Sequence, residues 1–164
     1  MILCDTGPLV AAFNKADDYH ERCARFLAQN WTRLVVPSLA VTEVCHLLSD
    51  PQRRGNSGMA ARFCAAIGAD ELRVIEVTPH DYRRMAELLT IYASLRLQAV
   101  DACVIALAER FDVREVAALD RRDFQVVAPP LWRNPGENFW RTAPRRPPHS
   151  GVRRSASSAS CRCQ

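Results

Sequence analysis

Residues 2–14 read Ile2-Leu3-Cys4-Asp5-Thr6-Gly7-Pro8-Leu9-Val10-Ala11-Ala12-Phe13-Asn14. Three apolar residues make a short strand that ends at an acid. Thr6-Gly7-Pro8 reads as a turn, and Leu9 to Asn14 as a short helix. The alternation then repeats along the chain. A helix is expected from Asp17 or Asp18 to Gln29, with Cys23, Phe26 and Leu27 at helical spacing. Leu34-Val35-Val36 is a second strand closed by Pro37, and Ser38 is a good N-cap for a helix through Leu48. Asp50-Pro51 ends that helix, a loop follows through Gly58, and Met59 to Ile67 forms another helix stopped by Gly68.

Arg73 to Val77 is a third strand. Thr78 caps the next helix, with Pro79 at its first position, and this helix runs to about Tyr92. Ala99 to Phe111 is so apolar that it must be buried on most faces. Glu115 to Leu119 and Gln125 to Val127 are a fourth and a short fifth strand. Strands alternating with helices imply an α/β fold with a central parallel sheet covered on both faces. The expected division is one domain over residues 1–130, a partly docked segment over 131–140, and a disordered tail over 141–164. Trp132, Phe139 and Trp140 would dock the middle segment. The tail has no Leu, Ile or Phe and is rich in Arg, Ser and Pro, so it cannot bury enough to order itself.

The chain has 164 residues, 48% of them hydrophobic and 24% charged, the balance of one globular domain. No apolar run approaches the ~20 residues of a membrane span. Asp5 interrupts the apolar start and no basic segment precedes it, so a secretory signal is not expected and the cytoplasm is the default compartment. The net charge of +4 divides unevenly. Residues 141–164 hold six arginines and no acid, whereas positions 1–140 hold 16 basic against 18 acidic residues. The overall basicity therefore says nothing about nucleic-acid binding by the body of the protein. Of seven cysteines none forms a C-x-x-C pair, and small buried thiols are the expected reading.

In an open parallel sheet, ligands collect beyond the carboxyl ends of the strands. Asp5 lies at one such end and Asp120 at another. Asp101 lies in the first turn of the apolar helix that begins near Ala99. Glu43 lies among Val41, Val44, Leu47 and Leu48 on a core-facing helix. Taken singly, Asp5 is a helix cap, Asp101 a first-turn acid favoured by the helix dipole, and Glu43 a solvated residue. Taken together, converging acids would raise one another's pKa and destabilise the fold. A divalent cation removes that penalty. Mg²⁺ and Mn²⁺ prefer carboxylate and water oxygens and bridge readily to phosphate. The cluster therefore suggests metal-assisted phosphoryl chemistry. The chain carries no P-loop, dinucleotide-binding or G-x-S-x-G motif. His20 and Cys23 stand one helical turn apart without a second pair, which favours helix packing over a metal site. Arg53-Arg54, Arg83-Arg84 and Arg121-Arg122 are candidate phosphate contacts; the last pair stands out because it adjoins Asp120.

The chain resembles PIN-domain proteins, most of all the VapC-type toxins of bacterial toxin–antitoxin modules. The likeness rests on Asp5-Thr6-Gly7-Pro8-Leu9-Val10, on Pro37-Ser38 with Thr42-Glu43-Val44, on Val100-Asp101-Ala102, and on Leu119-Asp120-Arg121-Arg122-Asp123-Phe124. It runs from Met1 to about Val127. It implies an α/β/α sandwich and a Mg²⁺- or Mn²⁺-dependent endoribonuclease acting on RNA. It also implies a homodimer and a small antitoxin protein that blocks the site. By the same likeness Asp5, Glu43, Asp101 and Asp120 match the acidic metal-site positions, with Asp5 and Asp101 as direct ligands. Asp123 and Thr6 are accessory; the Thr6 hydroxyl would orient Asp5. Arg121 and Arg122 would hold RNA. Ala118 stands where many relatives carry Thr or Ser. A PIN scaffold that binds RNA or a protein without cutting is the alternative.

Overall fold

Ile2, Leu3 and Cys4 are all buried, so the first strand has no wet face, as a central strand of a parallel sheet requires. The computed structural model describes residues 1–95 and 97–119. Among them four strands, β1 (Ile2–Cys4), β2 (Leu34–Pro37), β3 (Arg73–Ile75) and β4 (Val116–Ala117), form one sheet in the order β3-β2-β1-β4. Every pairing is parallel, with Leu3 opposite both Val35 and Val116. Among the described residues six α-helices flank the sheet: α1 (Thr6–Phe13), α2 (His20–Asn30), α3 (Ser38–Ser49), α4 (Ser57–Gly68), α5 (Pro79–Ile91) and α6 (Ala99–Arg110). No helix among the described residues is long and apolar enough to cross a membrane.

The two-residue period of β1 divides the core. Ile2 and Cys4 join Leu34, Val36, Leu9, Val44, Leu48 and Phe63 beneath α1 to α4. Leu3 points the other way, into Met85, Leu88 and the buried face of α6. Residues Ala102 through Ala108 are all buried, which accounts for the unbroken apolar run of α6. Each fully covered Leu or Val contributes about 1.5–3 kcal/mol, so these two layers supply most of the driving force.

Several boundaries differ from the sequence reading. α1 begins at Thr6, and Thr6-Gly7-Pro8 is its first turn rather than a preceding one. Pro8 is tolerated there because the first N–H groups of a helix have no partner to lose. Pro37, extended at φ −60° and ψ 137°, takes the N-cap position that Ser38 was expected to fill. α2 starts late, at His20, because the chain before it is held in turns: Asp17 Oδ1 accepts from the Tyr19 amide at 2.9 Å. β3 stops at Ile75, where the Glu76 carbonyl accepts instead from Arg110 at 3.3 Å. β4 holds two residues rather than five. The expected strand at Gln125–Val127, the segment 131–140 and the tail 141–164 lie outside the described residues.

One polar clamp ties α5 to α6. Asp81 is 1% exposed and accepts from the Thr78 amide at 2.8 Å, from the Thr78 hydroxyl at 2.7 Å and from the Arg110 guanidinium. Burial alone would raise its pKa. The two Thr78 hydrogen bonds and the Arg110 charge outweigh burial and hold the carboxyl below its ordinary value.

Candidate active site

The strand order makes β1 the point where the chain reverses its path across the sheet. From β1 the chain moves out through β2 to β3, then returns past β1 to β4. In such sheets the crevice lies beyond the carboxyl ends of the strands flanking the switch, here β1 and β4. Asp5 sits at that end. Its amide donates to the Ala117 carbonyl at 2.9 Å, extending the β1–β4 ladder by one step. Thr6 begins α1, Glu43 projects from the middle of α3, and Asp101 is the third residue of α6.

These elements bring three acids toward one another. Asp5 occupies the N-cap position of α1, where its carboxyl faces the Thr6 and Gly7 amides without a well-formed capping hydrogen bond. Its pKa is pushed up from 3.8 to about 7. Burial is the largest influence; the Thr6 and Gly7 amides pull the other way, and the Asp101 and then the Glu43 carboxylates raise it further. The other two acids are held by their own partners. The Thr6 hydroxyl, 6% exposed as a residue, donates to Glu43 Oε2 at 2.7 Å. The Gln98 amide donates to Asp101 Oδ2 at 2.9 Å. Thr6 therefore orients Glu43, not Asp5 as its place in the chain suggested.

Among the described residues no three acid, histidine or cysteine side chains are drawn close enough to enclose a metal ion on their own. The donor set is nonetheless of one chemical kind. Asp5, Glu43 and Asp101 offer hard carboxylate oxygens, and burial, reinforced by the Asp101 and Glu43 charges, keeps Asp5 half protonated near neutrality. That fits an oxygen-preferring divalent cation, which keeps several of its own waters and needs only one or two carboxylates. Asp120, Arg121, Arg122 and Asp123 lie outside the described residues. Leu119, next to them in the chain, packs on the first turn of α1. A Cβ built on Gly7 would stand 3.2 Å from Leu119 Cβ. The closeness of that approach, rather than a turn, is what calls for glycine here.

His20, Cys23, Arg53 and Arg84 have structural roles. His20 Nδ1 lies 3.0 Å from the Ala11 carbonyl and Cys23 is fully buried, so this pair packs α2 against α1. Arg84 is forked onto Glu109 at 2.7 and 2.9 Å and reaches Glu87 at 2.8 Å. It joins α5 to α6 and is not a spare phosphate contact. Arg53 lies 3.8 Å from Asp50. Cys4, Cys23 and Cys103 are buried as expected, but Cys45 is only half-buried and Cys64 is exposed. A cavity of about 790 Å³ between α1, α2 and α4, lined by Phe13, Leu27, Trp31 and Leu72 among others, contains none of the acids.

Known proteins share this fold. The family model described as PIN domain matches residues 2–129. Ribonuclease VapC26 of Mycobacterium tuberculosis is 29% identical over 129 residues, which cover 78% of this chain and 93% of that protein. The crystal structure of VapC20 from Mycobacterium tuberculosis, described as a sarcin–ricin loop cleaving toxin, superposes with a TM-score of 0.68. It is 23% identical, and the match covers 77% of this chain and 95% of that one. The extent of the family match, and a fold that sets Asp5, Glu43 and Asp101 at the switch point of a parallel sheet, establish that the chain belongs to the PIN domain family.

Proposed function

We propose that this protein is a metal-dependent endoribonuclease that hydrolyses RNA phosphodiester bonds as the toxin of a toxin–antitoxin pair. The observation that carries the reading is Asp5 itself, a carboxyl at the mouth of the sheet whose pKa is raised to about 7, first by burial and then by the nearby Asp101 and Glu43 carboxylates. A fold gains nothing from such repulsion unless a cation relieves it. The likeness to a ribonuclease over nearly the whole domain supports the same reading.

Asp5 and Asp101 would hold a Mg²⁺ or Mn²⁺ ion, with Glu43 and Asp120 acting directly or through water. When bound, the ion supplies Lewis-acid activation of water and neutralises charge developing on the phosphate. The residues of the chain do the positioning. Asp5 gives up its proton to become a ligand. Thr6 fixes the rotamer of Glu43, and the Gln98 amide fixes that of Asp101. Arg121 and Arg122 would hold RNA phosphates, and Asp123 would be an accessory acid of the metal site. Ala118 is buried at 4% exposure, so no hydroxyl reaches the site from that position. The protein would work in the cytoplasm as a homodimer, silenced by a small antitoxin. The apolar groove that exposes Trp31 is a surface of the kind a partner covers.

The test is incubation of the purified chain with total cellular RNA in Mg²⁺, in Mn²⁺ and in EDTA, beside Asp5→Asn. The expected result is a set of discrete products that appears with either ion and vanishes with EDTA or in the variant. No cleavage under any ion by a folded chain free of partner would instead favour a scaffold that binds RNA or protein without cutting.

A further inference from the structure

Two cysteines meet outside the acidic site. Cys45 on α3 and Cys64 on α4 are 19 residues apart in sequence, and their Sγ atoms are 3.5 Å apart. That is a contact between thiols; a disulfide needs about 2.05 Å, so the pair closes with a shift of about 1.5 Å shared by two side-chain torsions. Cys64 is exposed and Cys45 half-buried, whereas Cys4, Cys23 and Cys103 are fully buried. A solute oxidant therefore meets Cys64 first, with a second thiol already beside it.

We propose that Cys45 and Cys64 form a reversible disulfide on exposure to peroxide, a redox-closed staple between α3 and α4. The Cys64 thiol is oxidised by peroxide to a sulfenic acid, with release of one water. Cys45 sulfur then attacks the sulfenic sulfur; the S–O bond breaks, and the hydroxyl leaves as water with the Cys45 proton. In sum two thiols and one peroxide give one disulfide and two waters. A dithiol reductant reverses the bond. The bond would tie the helix that carries Glu43 to its neighbour. Residues 43 and 45 are two apart on a helix and face different directions, so the staple leaves the acids untouched.

The test is mass spectrometry of the full chain after stoichiometric peroxide, digested with trypsin without reduction. Cleavage after Arg54 and Arg62 separates the two cysteines, so only a disulfide joins their peptides. The expected result is one linked pair, Cys45 with Cys64, released by dithiothreitol and absent in Cys64→Ser. The thermal midpoint of the oxidised chain should rise by about 8 °C, because the bond closes a loop of about 20 residues. Sulfinic acid at Cys64 without a link, a link formed only through Cys161 or Cys163, or a linked chain with an unchanged midpoint would each overturn the proposal.

Discussion

Replacing Asp5 by Asn should stabilise the ion-free protein, increasingly as pH rises above the ordinary carboxylate value. The carboxyl titrates at about 7 when folded against 3.8 as its ordinary value. Below 3.8 both the folded and unfolded chains hold the proton. Between 3.8 and about 7 the folded chain keeps it and the unfolded chain does not, so stability falls as pH rises. Above about 7 the whole penalty is present. Just over three units at about 1.36 kcal/mol each set a ceiling of about 4 kcal/mol. Asp5 retains some solvent exposure, and screening reduces this to about 2 kcal/mol. Asn carries no charge at any of these pH values and nearly matches the neutral acid in shape. Thermal unfolding in EDTA should therefore show wild type and Asp5→Asn melting together at about pH 3, with the variant about 5 °C higher at about pH 8.5. Equal differences at both pH values, or a less stable variant at the higher one, would refute the electrostatic picture of the site.

Other consequences are as direct. Thr6→Val removes the hydroxyl that holds Glu43; RNA cleavage should fall about tenfold and stability by about 1.5 kcal/mol, with Thr6→Ser restoring both. Asp81→Asn leaves Arg110 without its partner and should cost about 3 kcal/mol in urea unfolding, with cleavage by the folded fraction unchanged. The lowered pKa of Asp81 stabilises the fold above the ordinary carboxylate value of 3.8, and that share is lost as pH falls through the still lower folded value. The variant should therefore show a shallower loss of stability in acid. Gly7→Ala places a methyl 3.2 Å from Leu119 Cβ and should reduce cleavage more than the roughly 1 kcal/mol it costs in stability. Truncation before Arg141 should leave cleavage largely unchanged at moderate salt, since the domain matched by the family ends at residue 129.

The alternation of strands and helices was legible because β1 and β2 are apolar on both faces and Thr78-Pro79 announces the start of α5. The order β3-β2-β1-β4 was not, because crossovers set it and no residue encodes it locally. Asp5 and Asp101 could be picked out because an acid at a strand end, or among Val100, Ala102 and Cys103, conflicts with its surroundings. That Thr6 serves Glu43 could not be read, since the bond spans 37 residues and depends on how α1 crosses α3. The Cys45–Cys64 contact had no spacing signal for the same reason. The Asp81–Arg110 clamp was half visible: Thr78-Pro79-His80-Asp81 announces a helix start, but its ionic partner lies 29 residues away. Gly7-Pro8 misled because the pair is common in turns and is equally at home in the first turn of a helix.

Mn²⁺ titration of the EDTA-stripped chain, followed by calorimetry in buffers of different ionisation enthalpy, tests the acidic site as a metal centre. Asp5 must shed its proton to become a ligand. Binding should release about one proton at about pH 6, about half at about pH 7 and almost none at about pH 8.5, and Asp101→Asn should bind far more weakly. Proton release that does not change with pH, or an Asp101→Asn chain that binds Mn²⁺ as tightly as wild type, would show that the ion is held somewhere else.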